Sequence, residues 1–359
     1  MNRPPVPATA TAPSTAPPGT APPTLTVVIC AYTTRRWSDL LAAVRSVREQ
    51  RHPVEELVLV IDHCPELAER ARRALPDVRV IANRERRGLS GARNTGVGAA
   101  HGEVVAFLDD DAVADPDWAG RLLAGYRDPA VLGVGGLVRP WWESGRPAWF
   151  PPEFDWVVGC SYTGLPEHPA VVRNFIGANM SFRRAEVLAA GGFRTELGRV
   201  GTRPVGGEET ELCLRLVARH PGAVLRYDPS AGVRHHVPGE RTRWRYFRAR
   251  CFAEGRSKAV VARFAGPQRA LASERRYLRA TLPQAALRTL RPAGRTDPAG
   301  PAVPSGGDRL RALGALSAGV GVTVAGYLVG RTAASSDPAR TAAGTAPGEP
   351  VGPSSGSGP

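Results

Sequence analysis

A chain of 359 residues with a formal net charge of +14 is long enough to bury a substantial core, as one large domain or as two. Its five cysteines are scattered, odd in number and contain no C-x-x-C pair, which argues against a disulfide framework or a zinc site and fits reduced thiols. The positive charge is concentrated in residues 241–295, so nucleic acid, an anionic membrane surface and a phosphorylated substrate are candidate partners, beside an ordinary solvated basic face.

Composition divides the chain into segments. The start is rich in Pro, Ala and Thr without the apolar run of a signal peptide, and the end is rich in Gly, Pro, Ser and Ala. A nineteen-residue uncharged run, 312–330, is close to the length of a spanning helix, but its many small residues equally suit a docked helix. We expect six segments: a disordered leader (1–24), an α/β domain (25–238), a basic amphipathic helical extension (239–291), a linker (292–308), an apolar docked or membrane-associated segment (309–331) and a disordered tail (332–359).

Strand and helix patterns alternate through the first half. Apolar, β-branched runs at 25–30, 57–61, 78–81 and 104–108 predict strands, and the segments between them have helical spacing. Ser38 is predicted to cap the first helix, and Asp115-Pro116 to start a later one. This alternation predicts an α/β fold with a mostly parallel sheet flanked by helices, followed by a C-terminal helical extension.

Polar residues follow several of these strands. Tyr32, Asp62 and the triplet Asp109, Asp110 and Asp111 all stand at predicted carboxyl ends, where open α/β sheets bind ligands. Three adjacent carboxylates repel one another unless a cation lies among them, and oxygen ligands favour Mg²⁺ or Mn²⁺. A solvated acidic turn is the alternative interpretation. The chain has neither a G-x-G-x-x-G fingerprint nor a G-K-S/T loop, which disfavours nicotinamide enzymes and P-loop nucleotidases.

The second half offers further candidate site residues. Glu208 and Glu209 stand in the first turn of a predicted helix, where they either complement the helix dipole or face a cleft. The adjacent His235 and His236 follow an apparent strand and are either structural or ligating. Aromatic residues crowd segment 141–156, where they either stack on a sugar or close over a core.

In order and spacing, these motifs resemble the family 2 glycosyltransferases over residues 25–264. The resemblance rests on V-V-I-C-A-Y (27–32), V-L-V-I-D (58–62), N-R-E-R-R-G-L-S-G-A-R-N-T-G (83–96), F-L-D-D-D-A (107–112), G-A-N-M-S-F (177–182), G-G-F (191–193) and G-E-E-T-E-L (207–212). It implies a GT-A fold and a metal-dependent, inverting transfer of a sugar from a nucleoside-diphosphate sugar. The Q-x-x-R-W motif of processive synthases is absent, so repetitive polymer synthesis is not expected.

The resemblance also implies roles for individual residues. Ala31, Tyr32, Asp62, Arg93, Asp109 and Asp110 are similar to residues that bind the nucleotide-sugar, and Asp109, Asp111 and one of the two histidines, His235 in first place, to metal ligands for Mn²⁺ or Mg²⁺. Glu209 stands where the family usually has the aspartate that acts as catalytic base. Because glutamate is one methylene longer, either the acceptor lies slightly further back or Glu208 and Glu209 share the work.

The expected partners are a nucleoside-diphosphate sugar and a hydroxyl acceptor, with a lipid-linked acceptor for cell-envelope or other glycoconjugate synthesis as one candidate. We expect no nucleic-acid partner, since no nucleic-acid-binding module accompanies the basic stretch. That stretch instead suggests a cytoplasmic enzyme in peripheral contact with the inner face of the membrane. Two alternatives are a non-catalytic sugar- or polyanion-binding protein on the same fold and a metal-dependent nucleotidyltransferase, although a phosphate-binding Gly/Lys loop for the latter is missing.

Overall fold

The computed structural model describes residues 22–201, 206–290 and 306–332. Within these ranges a nine-stranded sheet forms the centre of the molecule, with the order β3-β2-β1-β4-β8-β6-β9-β5 and β7 paired to β9. The strands are β1 (Leu25–Ala31), β2 (Glu56–Ile61), β3 (Arg79–Ala82), β4 (Val104–Asp109), β5 (Ala112–Ala114), β6 (Val131–Trp142), β7 (Ala170–Val172), β8 (Asn179–Arg183) and β9 (Val224–Val237).

Helices cover the sheet and form the C-terminal extension. They are α1 (Trp37–Arg48), α2 (Pro65–Ala74), α3 (Leu89–Ala99), α4 (Trp118–Gly125), α5 (Arg184–Ala189), α6 (Glu208–Arg219), α7 (Trp244–Ala265), α8 (Pro267–Ala270), α9 (Ala272–Arg276), α10 (Leu282–Leu290) and α11 (Gly306–Thr332). Short 3-10 helices occupy Thr34–Arg36, Pro152–Val158 and Gly239–Thr242, and a π-helical turn spans Tyr277–Thr281.

The predicted α/β architecture is confirmed. β3, β2, β1 and β4 pair in parallel, and β4 is buried over its whole apolar run from Val104 to Leu108, as expected of a strand covered on both faces. Beyond β4 the sheet becomes mixed, because β8 pairs antiparallel with both β4 and β6. The carboxyl ends of β1, β2 and β4 therefore lie side by side at one edge of the sheet.

Two predicted helix starts are wrong. Helix α1 begins at Trp37, so Ser38 lies inside it, and the capping contact comes earlier, where Thr33 Oγ1 accepts a hydrogen bond from the Arg35 amide. Helix α4 begins at Trp118 after Asp117. Asp115 does not cap it with its side chain, because that carboxylate binds the Arg139 guanidinium.

The aromatic segment closes over the core. Phe150 and Phe154 are 2% and 1% exposed, and their ring centroids lie 5.4 and 5.3 Å from that of Phe247 in α7. Trp149 contacts Trp244 edge to face at 5.1 Å. Such pairs each contribute about 0.5–1.5 kcal/mol beyond area burial, so this aromatic cluster joins the start of the helical extension to the sheet domain.

The C-terminal extension packs as a helical layer rather than as separate helices. Helix α11 lies against α7, and a Cβ atom at Gly326 would lie 2.1 Å from the Phe252 carbonyl oxygen. Among the described residues, α11 is also the one helix long and apolar enough to cross a membrane by length and composition. The predicted leader, linker and tail fall largely on residues 1–21, 291–305 and 333–359, outside the described residues.

Candidate active site

The acidic triplet lies where β4 turns into β5. Asp109 ends β4, Asp110 and Asp111 form the turn, and β5 pairs with β9 so that Ala112 stands opposite His235. This pairing places His235 Nε2 3.1 Å from Asp111 Oδ1. One ligand atom each from Asp109, Asp111 and His235 lie within 4.8 Å of one another.

These three side chains fit a divalent cation. The oxygens of the two carboxylates suit either Mn²⁺ or Mg²⁺, and the nitrogen of the imidazole suits Mn²⁺. The neighbouring Asp110 Oδ2 is buried and has no hydrogen-bond partner in the described part of the chain, which is costly unless a further positive group completes the site. The other ring nitrogen of His235 lies 3.6 Å from Cys160 Sγ, which helps to orient the imidazole.

Strand β9 separates the two histidines. Successive side chains of a strand point to opposite faces, so His235 faces the acidic cluster while His236 Nδ1 lies 3.1 Å from Asp39 Oδ2. His236 still supports the turn through its backbone amide, which donates to the Asp111 carbonyl oxygen at 2.8 Å.

Two arginines also enter the acidic cluster. Arg36 Nη1 lies 2.8 Å from Asp110 Oδ1 and 3.1 Å from Asp111 Oδ2. Arg241 Nη2 lies 3.5 Å from Asp111 Oδ2, and its buried Nη1 has no hydrogen-bond partner among residues 22–201, 206–290 and 306–332. The cluster therefore holds cationic groups that could also neutralise a bound anion.

Burial and neighbouring charges shift the pKa values of the two aspartates of the turn in opposite directions. Burial raises the pKa of Asp110 to about 7, with Arg36 opposing and Asp111 and Asp109 adding to the rise. Burial also acts to raise the pKa of Asp111, but His235, Arg36 and Arg241 outweigh it and hold that pKa well below its usual range. Asp111 is thus the carboxylate that stays ionised for a cation.

Asp62 at the end of β2 is held by its surroundings. The Asn83 side-chain amide donates to Oδ1 at 2.7 Å, and the Gly88 amide donates to Oδ2 at 3.0 Å. The carboxylate is 6% exposed and lies one strand away from Tyr32, over whose ring Arg36 packs at 5.6 Å. Ala31 contributes its carbonyl oxygen, which accepts from the Asp62 amide at 2.8 Å.

Arg93 connects the acidic turn to the start of α6. The side chain is 2% exposed, with Nη1 2.9 Å from Glu208 Oε1 and Nη2 3.5 Å from Asp109 Oδ1. Its guanidinium packs 5.7 Å from the ring of Phe107 and 5.5 Å from that of Phe193. Arg93 is therefore a fixed bridge between the two acidic constellations.

Glu209 differs from Glu208 in its environment. Glu208 is buried in its ion pair with Arg93, whereas Glu209 is half-buried and accepts from the Thr210 hydroxyl at 3.4 Å, with no ion pair to any residue that the structure describes. Burial, with repulsion from Glu208, raises the pKa of Glu209 to about 8. A carboxylate with such a pKa is suited to accept a proton near neutral pH.

Comparison with known proteins identifies the family of this chain. The family model described as glycosyl transferase family 2 matches residues 26–187. A glucosyl-dolichyl phosphate glucuronosyltransferase of Haloferax volcanii is 37% identical over 241 residues, which cover 66% of this chain and 77% of that protein. The chain belongs to the family 2 glycosyltransferases.

Other relatives match over a smaller share or show the fold alone. A pre-mycofactocin glycosyltransferase of Mycobacterium tuberculosis is 30% identical over 232 residues, 63% of this chain and 45% of that protein. The solved mannosyltransferase PcManGT from Pyrobaculum calidifontis, in complex with GDP-Man and Mn2+, has a TM-score of 0.53 at 20% identity and covers 88% of this chain and 87% of its own. The GT-A-like fold predicted from sequence is thus confirmed.

The structure of this glycosyltransferase brings the predicted residues to one edge of the sheet. Asp109, Asp111 and His235 lie close enough together to hold a cation, and Asp62 and Tyr32 lie on the neighbouring strand ends. The roles in catalysis, in metal binding and in binding the nucleotide-sugar stay predictions, the last for Ala31, Tyr32, Asp62, Arg93, Asp109 and Asp110. For Arg93 the structure adds that its guanidinium is already engaged by two carboxylates.

Sequence reasoning missed Arg36, Arg241 and Cys160. Arg36 was available as a basic residue in the loop after β1, four positions beyond Tyr32. Arg241 and Cys160 carry no local signal, because they reach the site only through the pairing of β9 and the loops around it.

Proposed function

We propose that this glycosyltransferase is an inverting enzyme that transfers a sugar from a nucleoside-diphosphate sugar to an acceptor hydroxyl, with Glu209 as general base. The observation that carries the proposal is the contrast between the two glutamates. Glu208 is engaged by Arg93, while the half-buried Glu209 has a pKa raised to about 8 and no ion-pair partner among the described residues.

The remaining residues divide the other tasks. Asp109, Asp111 and His235 would hold the divalent cation, which when bound supplies charge neutralisation for the leaving diphosphate. Arg36 and the unsatisfied Nη1 of Arg241 stand beside it to bind diphosphate oxygens. Asp62 and Tyr32 lie where the nucleoside would be bound, at the neighbouring strand ends.

In the proposed reaction the acceptor oxygen attacks the anomeric carbon as the bond from that carbon to the diphosphate oxygen breaks. Glu209 takes the acceptor proton, and the electron pair of the broken bond leaves on the diphosphate. A single displacement of this kind inverts the anomeric configuration. General-base assistance is typically worth ~10²–10⁴-fold in rate.

The test is Glu209→Gln, assayed by hydrolysis of donor sugar in the presence of Mn²⁺. We expect turnover to fall about 10²–10⁴-fold, while nucleotide binding, followed as a thermal shift, persists. Glu208→Gln is the paired variant. Loss of turnover in Glu208→Gln with wild-type turnover in Glu209→Gln would identify Glu208 as the base, and a wild-type protein without donor hydrolysis would support the non-catalytic binding protein instead.

The nucleotide can be identified first. A bound donor stabilises the folded protein by mass action, so UDP-, GDP- and dTDP-sugars should be compared by thermal shift with and without Mn²⁺. We expect one nucleobase to give a clearly larger, metal-dependent shift.

We further propose that the enzyme works at the cytoplasmic face of a membrane. The relative from Haloferax volcanii is named for a dolichyl phosphate substrate, and this chain combines a basic extension with the long apolar helix α11. Together these favour an acceptor presented by the membrane.

A further inference from the structure

A groove runs between α7 and α11. It has a cavity volume of about 530 Å³ and is lined mainly by Trp244, Arg245, Arg248 and Phe252 of α7 and by Val322 and Ala325 of α11. We call it the α7–α11 groove. Its volume lies within the range of about 300–1,000 Å³ typical of small-molecule sites.

The groove exists because the two helices touch closely at one end. Gly326 lies against the Phe252 carbonyl oxygen, and Gly255 lies so close to α11 that a Cβ there would be 2.0 Å from the Thr323 carbonyl oxygen. Toward the start of α7 the residues that line the groove have large side chains, those of Trp244, Arg245 and Arg248. The groove lies between these side chains and the α11 residues Val322 and Ala325.

The lining combines an apolar wall with positive charge. Arg245 and Arg248 lie three positions apart and so share one face of α7 with Phe252. Both arginines are exposed, and neither has an ion-pair partner in the part of the chain that the structure describes. Two exposed guanidinium groups beside an apolar channel match a ligand that carries a phosphate next to a hydrocarbon chain.

One end of the groove starts close to the active site. Arg241, which contacts Asp111 at 3.5 Å, precedes Trp244 by only three residues. The groove therefore begins within a few residues of a side chain that contacts the acidic turn, and it extends from there along α7 to Phe252. This arrangement is what an acceptor with a phosphate between sugar and lipid requires.

We propose that the α7–α11 groove binds the phosphate and hydrocarbon chain of a lipid-linked acceptor. The proposal rests on the proposed function, because it names the class of acceptor that the same active site would glycosylate. Nucleic acid is a poor fit, since the wall opposite the arginines consists of Val322 and Ala325. Leu328 and Val329, one turn beyond Ala325 on α11, are about half exposed and extend the apolar surface beyond the groove.

The test is titration of the full chain with farnesyl phosphate by calorimetry, with farnesol and inorganic phosphate as comparison ligands. We expect farnesyl phosphate to bind at least about tenfold more tightly than either part alone. Ala249→Phe, which fills the groove, and the double variant Arg245→Gln with Arg248→Gln should each weaken binding about tenfold or more.

Matched controls are available on the same helices. Arg263→Gln removes an exposed arginine from α7 about 22 Å farther along the helix, and Gly314→Phe adds a ring to α11 where a Cβ meets nothing within 4 Å. Both should bind farnesyl phosphate like the wild type. Circular dichroism of each variant checks that it is folded.

Three results would overturn the proposal. The first is unchanged binding of farnesyl phosphate in both groove variants, and the second is equal affinity of the wild type for farnesol and farnesyl phosphate. The third is that the groove variants lose binding to phosphatidylglycerol vesicles but still bind farnesyl phosphate, which would make the groove a contact with the bilayer. The titration requires neither donor nor turnover. Its failure therefore leaves the proposed function standing, and failure of the Glu209 test leaves the titration informative.

Discussion

At the scale of single residues, Asp111 shows how the acidic turn is stabilised. The crowding of three carboxylates in sequence suggests that removing one would relieve repulsion. The structure corrects this, because Arg36, Arg241 and His235 all contact the Asp111 carboxylate. Removing its charge would leave positive groups partly unpaired in a buried place, which costs folding free energy.

We predict that Asp111→Asn abolishes the Mn²⁺-dependent thermal shift on addition of donor nucleotide. The metal-free variant should also lose about 2–3 kcal/mol of unfolding free energy in urea, less than a fully broken buried pair because Asp110 still binds Arg36. Asp117→Asn is the control, since that carboxylate is about half exposed in a surface pair with Arg51. A metal-dependent shift that survives in Asp111→Asn would contradict the assignment of the metal site.

The raised pKa of Glu209 predicts a pH dependence. A general base works in its deprotonated form, so below its pKa of about 8 the active fraction falls roughly tenfold per pH unit. We expect kcat/KM for donor turnover to rise from about pH 6 and to level off above about pH 8. The residual activity of Glu209→Gln should lack this rise. A wild-type profile that is flat over the same range would argue against Glu209 as the base.

At the scale of secondary structure elements, strand β9 completes the acidic turn of the candidate site, and helix α11 forms one wall of the groove beside α7. β9 places His235 at the acidic turn and His236 on the opposite face, so one strand supplies both a candidate metal ligand and a supporting residue. Helix α11 covers α7 through a face of small residues. Its position defines one wall of the α7–α11 groove.

The contact between these two helices gives a paired prediction. Gly326→Ala should weaken the docking of α11, because the added Cβ would lie 2.1 Å from the Phe252 carbonyl oxygen, at a cost of about 1–3 kcal/mol. Gly321→Ala, where a Cβ meets nothing within 4 Å, should instead stabilise the helix by up to about 1 kcal/mol.

Hydrogen exchange of the α11 amides measures both changes. Faster exchange in Gly326→Ala together with equal or slower exchange in Gly321→Ala is the expected pair of results. Equal behaviour of the two variants would show that α11 does not pack on α7 in solution as it does in the structure.

At the scale of the whole molecule, charge and apolar surface lie on the same part of the chain. Most of the net charge of +14 falls in residues 241–295, directly before an apolar helix of 27 residues. Because α11 packs one face on α7, its other face is available for shallow contact with lipid. Arginines near anionic lipid each contribute on the order of 1 kcal/mol, and salt screens this attraction.

We therefore predict peripheral membrane association that depends on ionic strength. The full chain should sediment with phosphatidylglycerol vesicles at low salt and be released by a high-salt wash. Fractionation of cells with and without salt should give the same result. Release by detergent alone would indicate that α11 spans the bilayer, and a wholly soluble protein at low salt would exclude both forms of association.

Much of the fold and part of the site could be predicted from sequence, because their signals are local. The buried runs of β1, β2 and β4 are continuous apolar segments, and the positions that follow them in a parallel sheet necessarily meet at one edge. Asp62 and Asp109 therefore had predictable positions before any contact was known. The acidic first turn of α6 was predictable because its signals are also local. They are the helical spacing of the apolar residues that follow it and the two glycines that precede it.

The tertiary structure alone decided which groups complete the site. Arg36 and Asp110 are 74 positions apart, and Arg241 reaches Asp111 only because β9 pairs with β5. Which of His235 and His236 faces the acidic turn, and which of Glu208 and Glu209 pairs with Arg93, likewise depended on which face of an element meets its neighbours. Sequence periodicity specifies the faces of an element, but the partner of each face follows from the order of strands and the packing of helices, which involve contacts between residues far apart in the chain.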